Sequence, residues 1–101
     1  MSTEKIKKIK EAGWEVGDID LFLSPEEVAV VDVKLALAKA LCERRKKAKI
    51  TQTAIARKIG STQTKMAKAE QADSSISMEF IVRSLAGLGA TKKEIGMAIA
   101  K

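Results

Sequence analysis

Apolar residues recur along this chain at helical spacing, and serines, threonines and glycines punctuate them. Residues 4 to 12 place Ile6 and Ile9 on one face among four lysines before Gly13 stops the pattern, which suits a short helix or an arm. Trp14, Val16, Ile19, Leu21, Phe22 and Leu23 follow, alternating loosely with Glu15, Asp18 and Asp20. So much apolar surface in an irregular stretch either folds back on the domain, adds a short strand or covers a partner.

Ser24-Pro25-Glu26-Glu27 reads as a helix start: Ser24 caps, Pro25 suits the first helical position, and Glu27 completes a capping box that favours the helix dipole. The pattern predicts a helix from about Pro25 to Lys47, apolar nearly all round through Val28, Val30, Val31, Val33, Leu35, Leu37, Ala38, Leu41 and Cys42. One face serves the domain's own core, so the surplus on its first half predicts packing against something else. Arg44-Arg45-Lys46-Lys47 closes it, where cations complement the C-terminal dipole. Further on, Ser77 caps a helix carrying Met78, Ile81, Val82, Leu85 and Leu88, with Phe80 on the rim and Gly87 and Gly89 as its end. Thr91 through Glu94 is a second capping box, opening a last helix with Ile95, Ala98 and Ile99.

Between the long helix and these two lies Thr51 to Gln71, TQTAIARKIGSTQTKMAKAEQ, with two short patterns joined at Gly60. Ile55, Ala56 and Ile59 share a face in the first, Met66 and Ala69 in the second. Ala56 falls where the two helices cross most closely. Gly60 stands where the residue after a helix takes positive φ, and Ser61 or Thr62 then caps the next helix. The prediction is helix, tight turn, helix.

Gln52, Ile55, Ala56, Gly60, Gln63, Met66, Ala69 and Glu70 together resemble the helix-turn-helix of phage-repressor-type regulators, the Cro or XRE family. Two positions depart from that pattern: Ala69 is smaller than the Ile or Leu common there, and Ala72 stands where Gly often follows the second helix. With the flanking helices, the resemblance implies an all-α fold, a compact five-helix bundle of the phage-repressor DNA-binding-domain type over residues 24–101, with residues 1–23 as an N-terminal extension. It also implies a structural role for Glu70, which commonly holds the motif together.

The formal net charge of +6 is unevenly spread. From Lys39 to Lys68 there are ten basic residues and one acidic, Glu43, so that window carries +9 and the rest of the chain −3. Such concentration over the helix-turn-helix is the footprint of a phosphate-binding face. The composition turns other chemistries away. Without histidine there is no imidazole base or ligand, and a single cysteine, Cys42, makes neither a disulfide framework nor a usual zinc site. Cys42 is expected to be a buried packing residue in a reducing compartment. Neither a phosphate loop nor a dinucleotide fingerprint is present, and no apolar run is long enough to span a bilayer. The expectation is a cytoplasmic protein, not an enzyme, with no cofactor and no metal.

A major groove admits one α-helix, whose N-terminal residues meet base edges. On the second motif helix Gln63, Thr64 and Lys68 lie opposite Met66 and Ala69. Gln63 suits a bidentate contact to adenine, the Thr64 methyl suits thymine, and Lys68 suits either guanine acceptors or phosphate. The resemblance carries base contact onto the same three positions. Candidate phosphate contacts are Gln52, Thr62, Lys65, Arg45, Lys47 and Lys49; Arg57 and Lys58 either join them or face solvent.

The expected function is sequence-specific transcriptional repression by a homodimer on an inverted repeat in double-stranded DNA. The dimer surface is either the last helix or the excess apolar face of the long one. The segment AGWEVGDIDLFLSPEE ahead of a long helix is also similar to small XRE-type antitoxins of toxin-antitoxin operons, the HigA-like proteins. That similarity implies autorepression and neutralisation of a RelE-like toxin, with Trp14, Phe22 and Val30 facing the partner. A protein-interaction adaptor that binds no DNA is the alternative from another class.

Overall fold

The structure, a computed structural model, describes residues 24–100. They form five helices: α1 (Pro25–Lys47), α2 (Gln52–Lys58), α3 (Gln63–Glu70), α4 (Met78–Gly87) and α5 (Lys92–Ala100). No strand occurs among the described residues, so the fold is all-α.

Each helix starts on a serine or threonine hydroxyl. The Ser24 Oγ accepts from Glu27 N at 3.2 Å, Thr51 from Ala54 N at 3.1 Å, Thr62 from Lys65 N at 3.2 Å, Ser77 from Phe80 N at 3.1 Å and Thr91 from Glu94 N at 3.1 Å. Glu27 and Glu94 complete the two capping boxes by accepting from the backbone N–H of Ser24 and Thr91. Of the two candidates after Gly60, Thr62 is thus the cap.

Four helix ends share one geometry. Ile50 N donates to Arg45 O at 3.1 Å, Ser61 N to Ala56 O at 2.7 Å, Asp73 N to Lys68 O at 3.0 Å and Ala90 N to Leu85 O at 3.0 Å. This six-to-one bond requires a left-handed residue just before its donor. Gly60 (φ 73°) and Gly89 (φ 84°) supply it after α2 and α4, but Lys49 (φ 58°) and Ala72 (φ 54°) do so after α1 and α3.

Contacts divide the chain inside α1, between Asp32 and Val33. In the first unit the described residues are the cap and the opening turns of α1, where Val30 is 54% exposed beside half-buried Val28 and Val31. The second unit holds the core: Leu37, Ala38 and Leu41 of α1, Ile55 and Ala56 of α2, Met66 and Ala69 of α3, and Phe80, Ile81 and Leu85 of α4. Ile76 closes the core from the polar connection before α4, and Ile95 packs on it from α5. Fully burying a side chain of the Leu, Ile or Met type contributes about 1.5–3 kcal/mol, so this cluster supplies what short helices such as α2 and α3 lack alone. Ser84 is the buried polar residue among them, and its hydroxyl is satisfied by donating to Phe80 O at 2.8 Å. In the last turn of α4, a Cβ on Gly87 would stand 2.8 Å from Ile59 Cγ2, so glycine there permits the close packing of α4 on α2.

Cys42 is half-buried rather than buried, because it lies beside the core stripe formed by Leu37, Ala38 and Leu41. Burial, together with the nearby Glu70 carboxylate, pushes its thiol pKa up.

Candidate nucleic-acid interface

The pair α2–α3 is fixed by its apolar faces and by its turn. Ile55 and Ala56 on one helix, and Met66 and Ala69 on the other, are essentially inaccessible to solvent. Ala69, smaller than the residue usual in the resembling motif, leaves no exposed gap: it sits in the same cluster as Met66 and Ile81. No heavy atom lies within 4 Å of a Cβ placed on Gly60, so its positive φ, and not lack of room, is what calls for glycine.

A polar chain ties α1 to both helices of this pair. Arg45 of α1 donates to Glu70 of α3 through Nε (2.5 Å to Oε2) and Nη2 (3.0 Å to Oε1), and through Nη1 to Ile50 O at 3.0 Å. Gln52 of α2 donates its Nε2 to Glu70 Oε1 at 3.2 Å. Gln63 of α3 donates its own Nε2 to Gln52 Oε1 at 2.8 Å. The carboxylate sets this order. An ionised Glu70 only accepts, so Gln52 must turn its NH₂ toward it and its carbonyl away, and Gln63 must answer that carbonyl with its NH₂. One N–H and the Oε1 of Gln63 are left outward, which is the donor and acceptor pair that an adenine edge complements.

Burial alone would raise the Glu70 pKa. Hydrogen bonds from Arg45, Cys42 and Gln52 and the Arg45 charge outweigh it and hold the carboxyl below its ordinary value. The hydrogen bonds to Glu70 in turn push the Arg45 pKa up. Glu70 is therefore ionised at neutral pH and structural, as expected.

Arg45 corrects the expectation of a phosphate contact. Its guanidinium is largely buried, and its charge is matched by Glu70. Arg44 is likewise engaged, in an ion pair with Glu94 at 2.6 Å and a bond from Nε to Leu88 O at 3.2 Å. The other eight cations of the basic window, Lys39, Lys46, Lys47, Lys49, Arg57, Lys58, Lys65 and Lys68, are all exposed. Their charge faces solvent and remains available to an anion. Gln52 is half-buried with its amide divided between Glu70 and Gln63, so any phosphate contact falls to its second N–H. Thr62 is exposed and caps α3. The Lys65 ammonium rests 4.6 Å from the Phe80 ring centroid, a cation–π contact that holds it near the N-terminus of α3.

Gln63, Thr64 and Lys68 are all exposed on α3; Thr64 and Lys68 lie opposite its buried Met66 and Ala69, and Gln63, three residues before Met66, lies on the flank toward Gln52 of α2. Val30 is exposed on α1; Trp14 and Phe22 lie outside the described residues. The resemblance pointed to a structural Glu70, but sequence reasoning missed Arg45 as its partner, for which the only signal was an Arg of suitable reach ahead of the motif. Among the described residues no group of His, Cys, Asp or Glu is arranged to hold a metal ion, and no helix is long and apolar enough to cross a membrane. No protein-family model, curated protein or solved structure matches the chain.

Proposed function

We propose that the protein is a sequence-specific DNA-binding transcriptional repressor that inserts α3 into the major groove of an operator. The observation that carries this reading is the outer face of α3: Gln63, Thr64 and Lys68 stand exposed over a buried apolar side, with the Gln63 amide orientation set by the Glu70 to Gln52 chain. Gln63 reads adenine, the Thr64 methyl meets thymine, and Lys68 reaches guanine or phosphate. Lys47, Lys49, Lys65 and Thr62 hold the phosphates that set register. The protein acts in the cytoplasm as a homodimer on an inverted repeat and performs no catalysis.

Eight exposed cations in one window favour this over an adaptor that binds no DNA. Salt separates the two readings. For a DNA binder, log affinity for random duplex falls with log salt by roughly 0.9 per neutralised phosphate, whereas an adaptor gives a flat response. On a selected operator, Gln63→Ala costs about 1–3 kcal/mol and relaxes one base position, while Lys49→Ala weakens all sequences alike. Equal losses on operator and random DNA in both variants would refute the base-reading role of Gln63.

Within the same reading the repressor is the antitoxin of its own operon and neutralises a RelE-like ribonuclease. Exposed Val30, beside Val31 on the opening turns of α1, supports a protein partner there. A ribonuclease-like reading frame adjacent to this one, and its co-purification with this chain, test that layer.

A further inference from the structure

The outward face of α3 has two edges, and a neighbouring helix holds the side chain on each. Gln63, three residues before buried Met66, lies on the flank toward α2, where it donates to Gln52. Lys65, four residues before buried Ala69, takes the other flank, toward α4, where its ammonium rests 4.6 Å from the centroid of the Phe80 ring. Thr64 and Lys68 lie exposed between these edges. Lys65 and Phe80 are each the third residue of their helix, and each has its backbone N–H held by a cap, Thr62 for the lysine and Ser77 for the phenylalanine. Phe80 also belongs to the core, so packing holds its ring. What would otherwise wander is the long lysine chain.

The kind of partner matters. Arg44 and Arg45 are held by carboxylates, which cancel their charge and would compete with a phosphate. A ring face attracts the Lys65 ammonium without neutralising it, and the donors on its solvent side stay open to an acceptor. Among the described residues Lys65 makes no ion pair, and Glu79, beside Phe80, sits in the first turn of α4, where it suits that helix's own dipole. A cation in the first turn of α3 opposes the dipole of α3, and the ring offsets that cost.

We infer that Phe80 is a positioning residue for DNA binding: its ring holds the Lys65 ammonium, already in the free chain, where the phosphates of one groove wall come to lie, and so fixes the edge of α3 opposite Gln63. The inference rests on the proposed reading in one respect, that α3 is the helix that enters the groove. A helix seated there turns its outward side to the base edges and its flanks to the two backbones that wall the groove, so Lys65 meets phosphate. Immobilising a lysine on binding costs affinity, and the ring removes that cost beforehand.

A double-mutant cycle on a random-sequence duplex, with the affinity of the full chain followed against salt, tests this. Lys65→Met keeps the length of the side chain and removes its charge, so affinity falls and the salt slope drops by roughly 0.9, one phosphate. Phe80→Leu keeps an apolar core residue and removes the ring. Affinity then falls by about three- to ten-fold. The slope stays that of wild type, because the ammonium still reaches its phosphate, and in the Lys65→Met background the same change has no further effect. Lys65→Arg, whose guanidinium both stacks on a ring and binds phosphate, keeps most of the wild-type affinity. Equal losses for Phe80→Leu in both backgrounds mean that it acts through packing alone and overturn the inference. Should Phe80→Leu fail to fold, NMR of the wild-type chain decides: the ring face shifts the Lys65 Hε resonances upfield, free and on the duplex, and the shifts of an unrestrained lysine overturn the inference. The two readings fail differently. A wild type that binds no duplex removes the DNA reading itself, whereas a steep salt response with equal losses removes only the role of Phe80.

Discussion

Arg44 and Arg45 are neighbours in sequence, yet they make two very different junctions. Arg45 reaches Glu70 with its side chain 13% exposed and the carboxylate 6% exposed, in a two-bond fork that also anchors Gln52. Arg44 reaches Glu94 through one bond, with the two side chains 33% and 46% exposed. The first junction joins α1 to the helix-turn-helix; the second joins α1 to α5. Both are Arg–Glu pairs at short distance, so distance alone does not rank them. Solvent does: water and salt screen the outer pair, whereas the inner one has lost its hydration and depends on its partner.

The largest expected effect follows from that contrast. Glu70→Gln leaves Arg45 buried without a counter-charge and should cost about 3 kcal/mol or more in denaturant unfolding, the lower edge for a buried pair because glutamine keeps one acceptor. Glu94→Gln keeps the capping-box acceptor and removes only an exposed charge, so its loss should be scarcely resolvable. Equal losses would mean that burial does not distinguish the junctions.

Acid sharpens the same comparison. Because the Glu70 pKa is depressed in the folded chain, its contribution is fully present above the ordinary value of 4.5 and is lost as pH falls through the lower folded value. Unfolding free energy measured at a series of pH values should therefore fall on the acid side of 4.5, and Glu70→Gln should flatten that fall. A variant with the wild-type acid slope would show that Glu70 does not carry it.

Local features were legible in the sequence because their causes are local. The bounds of α1 follow from Ser24, Pro25 and the terminal run of cations, and the Gly60 turn and the Ser77 and Thr91 caps needed only neighbouring residues. The outward placement of Thr64 and Lys68 followed from the buried phase of Met66 and Ala69. What escaped was tertiary. Charge counting grouped Arg45 with its neighbours as a phosphate contact, since its counter-ion lies 25 positions away. Ile76 is isolated in a polar connection with no periodicity to mark it, yet it is buried. Gly87 reads as a helix stop, while its packing role depends on Ile59, just past the end of α2.

A smaller effect than the loss of the clamp lies two residues beyond Glu70, at Ala72. The ends of α2 and α3 are the same structure made with different residues, Gly60 at φ 73° and Ala72 at φ 54°. A left-handed conformation costs a residue with a Cβ roughly 1–2 kcal/mol, which Ala72 bears and Gly60 does not. Against that, the Ala72 methyl packs on the core, and glycine would add freedom to the unfolded chain. The balance favours Ala72→Gly by about 0.5–1 kcal/mol, a small rise in denaturation midpoint without a change in slope. If the rise is equal in wild type and in Glu70→Gln, the turn and the clamp are independent; if it disappears with the clamp, Glu70 is what holds the alanine in its strained conformation. A loss of stability in wild type would show that the methyl contact outweighs the strain.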